Sequence, residues 1–446
     1  MKRILILLAC AAIVVGCTSE SKLPNPTGKG SVRAINAIPA SPEVTFLIEE
    51  RGLGSLSYKT SSAPSQYDDF DYSFNFQISV PGEAQPRRIA SIPHKVEADR
   101  DHVFLLTGTL DAPVVTVLTD DIRTFVETDT VFELRFAHAI QGAGDVDLYI
   151  DPAGIVPSPG QQVATLAFGQ SMAARDFEEG VYVITITAAG DVNTVLYQSR
   201  EETFLPRTAQ VVTAFQGDGN DTAPVALTAM SAAGGPRGFP DARYPSTVRF
   251  IHAAYSLPVS DIYDDEALTN RVVSDHDFGT FTGDIPVIGD TLTYRYTPAG
   301  STAAILFEDD FAPIPGRHNH YIVVGDVDTY EAFRFSPDRA PYSTAVRFRI
   351  FHAALNQPLV DLYVLDADTP LDDAAFPRFP GIPYSVAIPV TSFKAGGYDL
   401  YVTGRNDKVV LAGPFRVDAA DGDIVDLVLL DTADPNVLQI LDVPVP

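Results

Sequence analysis

The chain has 446 residues, 46% of them hydrophobic, and a formal net charge of −27. That length and apolar content allow several cores. A surface this acidic repels phosphate backbones and anionic headgroups, which disfavours nucleic-acid binding, and solubility is the ordinary use of such charge.

The first element is a signal. Lys2 and Arg3 precede an apolar run from Ile4 to Val15, shorter than the roughly 20 residues that span a bilayer. The run closes on Val14-Val15-Gly16-Cys17, followed by polar Thr18-Ser19-Glu20. This box resembles the lipobox of bacterial lipoproteins, with Val where Leu is commoner. The resemblance implies a diacylglyceryl group on the Cys17 sulfur, removal of residues 1–16, and, from Thr18 in place of Asp, outer-membrane residence. Acyl chains contribute about 0.8 kcal/mol per buried CH₂, so two or three anchor a soluble domain stably. Loss of Lys2 and Arg3 takes the charge to −29. The second cysteine, Cys10, leaves with the signal, so the mature chain is expected to have no disulfide and no cysteine-based metal site. Residues 17–30, with Pro24, Pro26, Gly28 and Gly30, read as a tether.

Beyond the tether one phrase recurs. Val32-Arg33-Ala34-Ile35-Asn36-Ala37, Leu134-Arg135-Phe136-Ala137-His138-Ala139, Val248-Arg249-Phe250-Ile251-His252-Ala253 and Phe348-Arg349-Ile350-Phe351-His352-Ala353 align. Nine residues after each histidine stands Asp147-Leu148-Tyr149, Asp261-Ile262-Tyr263 or Asp361-Leu362-Tyr363; the first copy has Thr45-Phe46-Leu47 there and Asn36 for histidine. The spacing between copies is domain-sized. It predicts β-sandwich repeats at 31–121 (degenerate), 130–231, 246–337 and 344–443, with Gly/Pro-rich joints near Gly234-Gly235-Pro236 and Ser336-Pro337.

The elements within each repeat read as strands. Leu134, Phe136 and His138 share one face and Arg135, Ala137 and Ala139 the other; Val146, Leu148 and Ile150 stand opposite Asp147, Tyr149 and Asp151. Further β-type runs include Val181–Ile186, Thr291–Tyr296, Tyr321–Val324 and Tyr398–Val402, and no long 3.6-residue period competes. The expected class is all-β: tandem immunoglobulin-like antiparallel β-sandwiches of about seven strands.

The phrase Arg-x-x-His-Ala, then Asp-x-Tyr, resembles the bacterial family known as domain of unknown function 4397, and Glu179-Gly180-Val181-Tyr182 and Gly396-Gly397-Tyr398 echo a later Gly-Tyr phrase of that family. The resemblance covers most of the mature chain in four copies. It implies an immunoglobulin-like fold in envelope proteins and no assigned activity.

The repeated polar residues read as structural. Histidine and aspartate point to different faces, so His138, His252 and His352 are not within the 2.6–3.2 Å reach of Asp147, Asp261 and Asp361 that a catalytic pair needs. Each histidine is instead expected to bond loop backbone at its strand end. Arg135 and Asp147, Arg249 and Asp261, and Arg349 and Asp361 lie twelve residues apart on outer faces, which suits cross-strand ion pairs if the two strands form a hairpin. Tyr149, Tyr263 and Tyr363 fall on the same outer faces, where packing against neighbouring strands or domains is expected ahead of stacking on a sugar ring. His318-Asn319-His320 has metal-compatible i, i+2 spacing without a third ligand, and the turns Asp218–Asp221 and Asp326–Asp328 match no complete calcium loop. Gly169-Gln170-Ser171-Met172-Ala173 lacks the second glycine of a nucleophile elbow.

These readings lead to a lipid-anchored envelope protein with a non-catalytic structural, adhesive or binding role, no cofactor, and an envelope protein or polysaccharide as partner. Two alternatives follow: a carbohydrate-binding lipoprotein using the repeated tyrosines, and a secreted hydrolase with a diverged site.

Overall fold

The computed structural model describes residues 25–231 and 235–445; Cys17 and the signal lie outside them. All regular elements among the described residues are strands, arranged in eight sheets of four or five strands. The sheets pair into four β-sandwiches over 29–121, 131–239, 246–335 and 346–442, termed units 1 to 4. Each encloses its own core. That of unit 2 gathers Phe132, Leu134 and Phe136 against Val146, Leu148, Ile184 and Ile186. The sandwiches have eight to ten strands, more than the seven expected, because short strands such as Ser65–Asp68, Ala164–Leu166 and Val386–Ala387 pair along their margins.

The motif strands are Lys29–Asn36, Val131–Ala139, Ser246–His252 and Val346–His352. Each is central in its sheet and runs parallel to a later strand of its own unit: Arg100–Gly108, Ala209–Gln216, His318–Val324 and Ile424–Leu430. The sheets are otherwise antiparallel.

The Asp-x-Tyr strand does not form a hairpin with the motif strand. Val131–Ala139 belongs to one sheet of unit 2 and Val146–Pro152 to the other, and the same holds in every unit. The segment after each histidine therefore crosses the sandwich from sheet to sheet. Alternation tells which side of a strand is apolar and says nothing about its neighbour, which is why a hairpin and a crossover look alike in sequence.

The motif strand is buried on both faces. Its second apolar face meets that of the neighbouring unit, so the sandwiches pack back to back as 1 with 2 and 3 with 4. Ile35, Val103 and Leu105 pack against Ala137, Val211, Phe215 and Met230. Ile251, Ile322 and Val324 pack against Phe351, Val428 and Leu430. The alanine closing each motif (Ala37, Ala139, Ala253, Ala353) lies in this layer and is almost wholly buried. A small side chain there lets the two sheets approach closely.

Candidate functional site

The arginines stand in the back-to-back layers, and the ion pairs expected with the motif aspartates are absent. Each arginine crosses to the partner unit and donates to a backbone carbonyl where that unit's last strands end. Arg33 reaches Met230 O at 3.3 Å and Arg135 reaches Thr119 O at 3.4 Å. Arg249 reaches Pro444 O at 2.7 Å and Arg349 reaches Asp338 O at 3.5 Å. Within each pair the contacts are reciprocal, each unit's arginine reaching a carbonyl on the other's side.

The carboxylates that neutralise them come from elsewhere: Asp101 for Arg33 at 2.9 Å, Asp120 of unit 1 for Arg135, Asp284 for Arg249 at 3.2 Å, and Asp426 for Arg349 at 3.0 Å. His320 stands opposite Arg249 in register and fully buried. Burial, then the nearby Arg349, Arg339 and Arg249, hold its imidazole well below the usual range and neutral. His318 bonds Thr247 Oγ1 at 2.8 Å and faces Asp284. No cluster of three metal-ligating side chains occurs among the described residues.

The histidines close the mouths of the sandwiches. His138 Nδ1 accepts the Ile140 N–H at 3.3 Å, leaving Nε2 to donate to Gly144 O at 2.9 Å in the crossover. His352 repeats this with Ala354 N–H at 3.3 Å and Gln357 O at 2.7 Å. His252 faces the backbone of Leu257 and Pro258 without reaching hydrogen-bond geometry. Burial lowers His138 and drives His252 and His352 down to about 4, because the charged form is disfavoured away from water.

The aspartates bracket turns. Asp147 accepts from Gly190 N–H at 2.7 Å, Asp261 from Gly300 N–H at 3.0 Å and Asp361 from Asn406 N–H at 2.9 Å. All three donors have left-handed backbone, with φ of 78°, 71° and 56°. The second carboxylate oxygen ties down the edge strand on the other side: Thr165 Oγ1 for Asp147, Asp275 N–H at 2.9 Å for Asp261, and Gly381 N–H at 2.6 Å for Asp361. Opposite each aspartate in register stands a buried threonine, Thr187, Thr297 or Thr403.

The tyrosines two residues on are covered. Tyr149, Tyr263 and Tyr363 are 2%, 7% and 2% exposed, and the Lys408 ammonium lies 4.4 Å from the centre of the Tyr363 ring. None presents the open face that stacking on a sugar ring requires. Their position on the outer side of a sheet does not make them accessible.

One recurring feature escaped the sequence reading. Tyr58-Lys59, Phe168-Gly169, Phe278-Gly279 and Tyr384-Ser385 occupy equivalent places, and the second residue of each donates its N–H to the carbonyl of Asn36, His138, His252 or His352 at 2.7–3.0 Å. Its φ is 65°, 77°, 71° or 60°. The aromatic ring lies edge-on to the motif histidine in units 2 to 4, while Tyr58 reaches unit 2 by donating to Gln216 O at 2.7 Å. The distance in sequence from the motif varies between 22 and 32 residues, so no fixed spacing marks it.

The acidic turn Asp218–Asp221 likewise has an occupant from its own chain. The Lys59 ammonium of unit 1 lies 2.8 Å from Asp218 and also contacts Asp221. The second acidic turn is local, with Asp326 accepting from Val327 N–H at 2.7 Å.

Comparison with known proteins follows this geometry. The sequence profile described as Domain of unknown function (DUF4397) matches residues 30–149 and 246–363. Each match opens at the motif strand of an odd-numbered unit and closes at Tyr149 or Tyr363 in the next, thus bridging one back-to-back pair. No curated protein matches. Among solved structures, the Bacillus anthracis TIE protein is similar at a TM-score of 0.15 and 10% identity, over 91% of this chain and 69% of that one. With two matches that together span more than half of its length, the chain belongs to the DUF4397 family.

Proposed function

We propose that this protein is a lipid-anchored component of the bacterial cell envelope with a non-catalytic structural, adhesive or binding role, in which each of the four sandwiches is a copy of the family's repeat. The observation that carries this reading is the use made of the motif. Its arginine and alanine join neighbouring units, its histidine closes the crossover and its aspartate brackets a turn, so the recurring polar residues build a stiff paired scaffold. The lipobox-like Val14-Val15-Gly16-Cys17 supplies the anchor, and the net charge keeps the scaffold solvated. An envelope protein or a polysaccharide is the partner class that such a displayed scaffold serves. The covered tyrosines remove the motif-based argument for sugar stacking.

Three measurements test the reading. Metabolic labelling with an alkynyl fatty acid should mark the protein and be abolished by Cys17→Ser, with the variant released from membranes; a soluble, unlabelled wild-type protein would refute the anchor. Protease shaving and antibody labelling of intact cells against unit 4 then decide the face. Labelling without lysis supports contact with neighbouring cells or extracellular polysaccharide, and protection supports a periplasmic partner. Turnover of an envelope substrate abolished by one histidine or aspartate change would overturn the non-catalytic reading.

A further inference from the structure

We propose that Lys59 and Asp218 form an intramolecular isopeptide bond that welds unit 1 to unit 2, with Asp221 as the proton carrier. Three side chains from two sandwiches meet here. The Lys59 ammonium contacts Asp218 Oδ1 at 2.8 Å and Asp221 Oδ2, with side-chain exposures of 9%, 5% and 16% respectively. The Tyr58 ring centre lies 5.7 Å from the ammonium. Asp218 is held from its other side, since the Asn220 backbone N–H donates to Oδ1 at 3.1 Å and the Asn220 amide reaches Oδ2 at 3.4 Å. Those donors fix the carboxyl group and polarise it toward attack.

The position of the lysine is itself unusual. Its counterparts in the other units are Gly169, Gly279 and Ser385, in the same left-handed conformation, and none of those residues carries an amine. Unit 1 alone sets an amine in this corner, and it does so where the partner unit offers two carboxylates. Held together by the back-to-back packing, amine and carboxyl react as an intramolecular pair, which removes the entropic barrier that keeps lysine and aspartate apart in water.

The step balances without an external reagent. The ammonium passes one proton to Asp221, and the freed Nζ lone pair attacks Asp218 Cγ. A C–N bond forms and a C–O bond of Asp218 breaks. The departing oxygen leaves as water, taking the proton returned by Asp221 and a second from Nζ. One N–H remains on the amide and Asp221 ends as it began. The net change is ammonium plus carboxylate to amide plus water, with no oxidation or reduction.

The test is mass spectrometry of the full chain, digested with trypsin after denaturation. The bond predicts a branched peptide joining Lys59 to the segment that contains Asp218, one water lighter than the sum of its parts, with no cleavage after Lys59. Lys59→Arg keeps a cation against both carboxylates but supplies no comparable nucleophile, and should return two linear peptides. Asp221→Asn leaves the reacting pair in place and should also yield them. Linear peptides from the wild-type chain overturn the proposal whether or not the variants fold. A branch mapped to Asp221 overturns the assignment of roles.

Discussion

Asn36 and His138 hold the same place in successive sandwiches, each accepting the N–H two residues on and donating into the crossover. The Asn36 side-chain oxygen accepts the Ile38 N–H at 3.1 Å where His138 Nδ1 accepts that of Ile140, and its amide donates to Ser41 Oγ in the crossover at 2.9 Å where His138 Nε2 donates to Gly144 O; the second amide hydrogen goes to Leu56 O, at the end of the strand Arg51–Leu56, at 3.1 Å. One acceptor and one donor at fixed separation are what the site needs, and a primary amide and a neutral imidazole both supply them. The first copy, which looks degenerate in sequence, keeps the interaction by other chemistry.

This equivalence predicts a pH effect. Burial places His352 at about 4 in the folded protein, below the roughly 6.5 of an unfolded chain. Between those values the unfolded state binds the proton. Stability is therefore full above pH 6.5 and falls as the pH drops toward 4, by up to about 1.4 kcal/mol per pH unit. His352→Asn should be tolerated at pH 7 and should lose this slope. Urea denaturation of both proteins at pH 7 and pH 5 checks it: the variant should gain about 2 kcal/mol relative to wild type on acidification. An unchanged difference would place the imidazole in water.

The cross-unit arginines should matter far more than surface ones. Arg135 is buried, and its loss strands Asp120 and the Thr119 carbonyl. Arg135→Ala should cost roughly 2–4 kcal/mol. Arg200→Ala, at an exposed pair with Asp290, should cost about 0.5 kcal/mol or less. Denaturation midpoints compare the two directly, and equal losses would mean that the back-to-back contact contributes nothing particular.

The turn bracket gives a local readout. Asp361→Ala removes the acceptor for Gly381 N–H and Asn406 N–H at once, and should cost about 1–3 kcal/mol. Amide hydrogen exchange should accelerate at residues 381 and 406 first, with the core strand Ile424–Leu430 still protected. Uniform acceleration would show that the aspartate has no local role.

The apolar layer between units 3 and 4 is tested by contrast between two phenylalanines. Phe351 is buried there, 4.7 Å from the Phe333 ring, so Phe351→Ala should cost about 3–5 kcal/mol. Phe376 is 86% exposed, and Phe376→Ala should stay within about 0.5 kcal/mol of wild type.

Part of this architecture was legible beforehand. The alternation of Leu134, Phe136 and His138 against Arg135, Ala137 and Ala139 identified a strand and its core side, and the absence of helical periodicity identified the class. The arginines and the tyrosines stand on outer faces, and a strand's own alternation does not record what covers such a face. Arg135 and Ala139 are covered by another sandwich, and Tyr149 is buried on the outer side of its own sheet. The even spacing of arginine and aspartate fits a hairpin and does not require one, and the two strands belong to different sheets.

By itself the sequence determined the strands, their apolar faces, the motif and its spacing, since each is written in residues close along the chain. Tertiary structure decided which sheet each strand joins, which unit covers its second face and which group each arginine meets. Arg33 finds its carbonyl 197 residues away and Arg249 finds one 195 residues away. A two-residue period records the sides of a strand but not its neighbours, so contacts at that separation arise only when whole sandwiches pack.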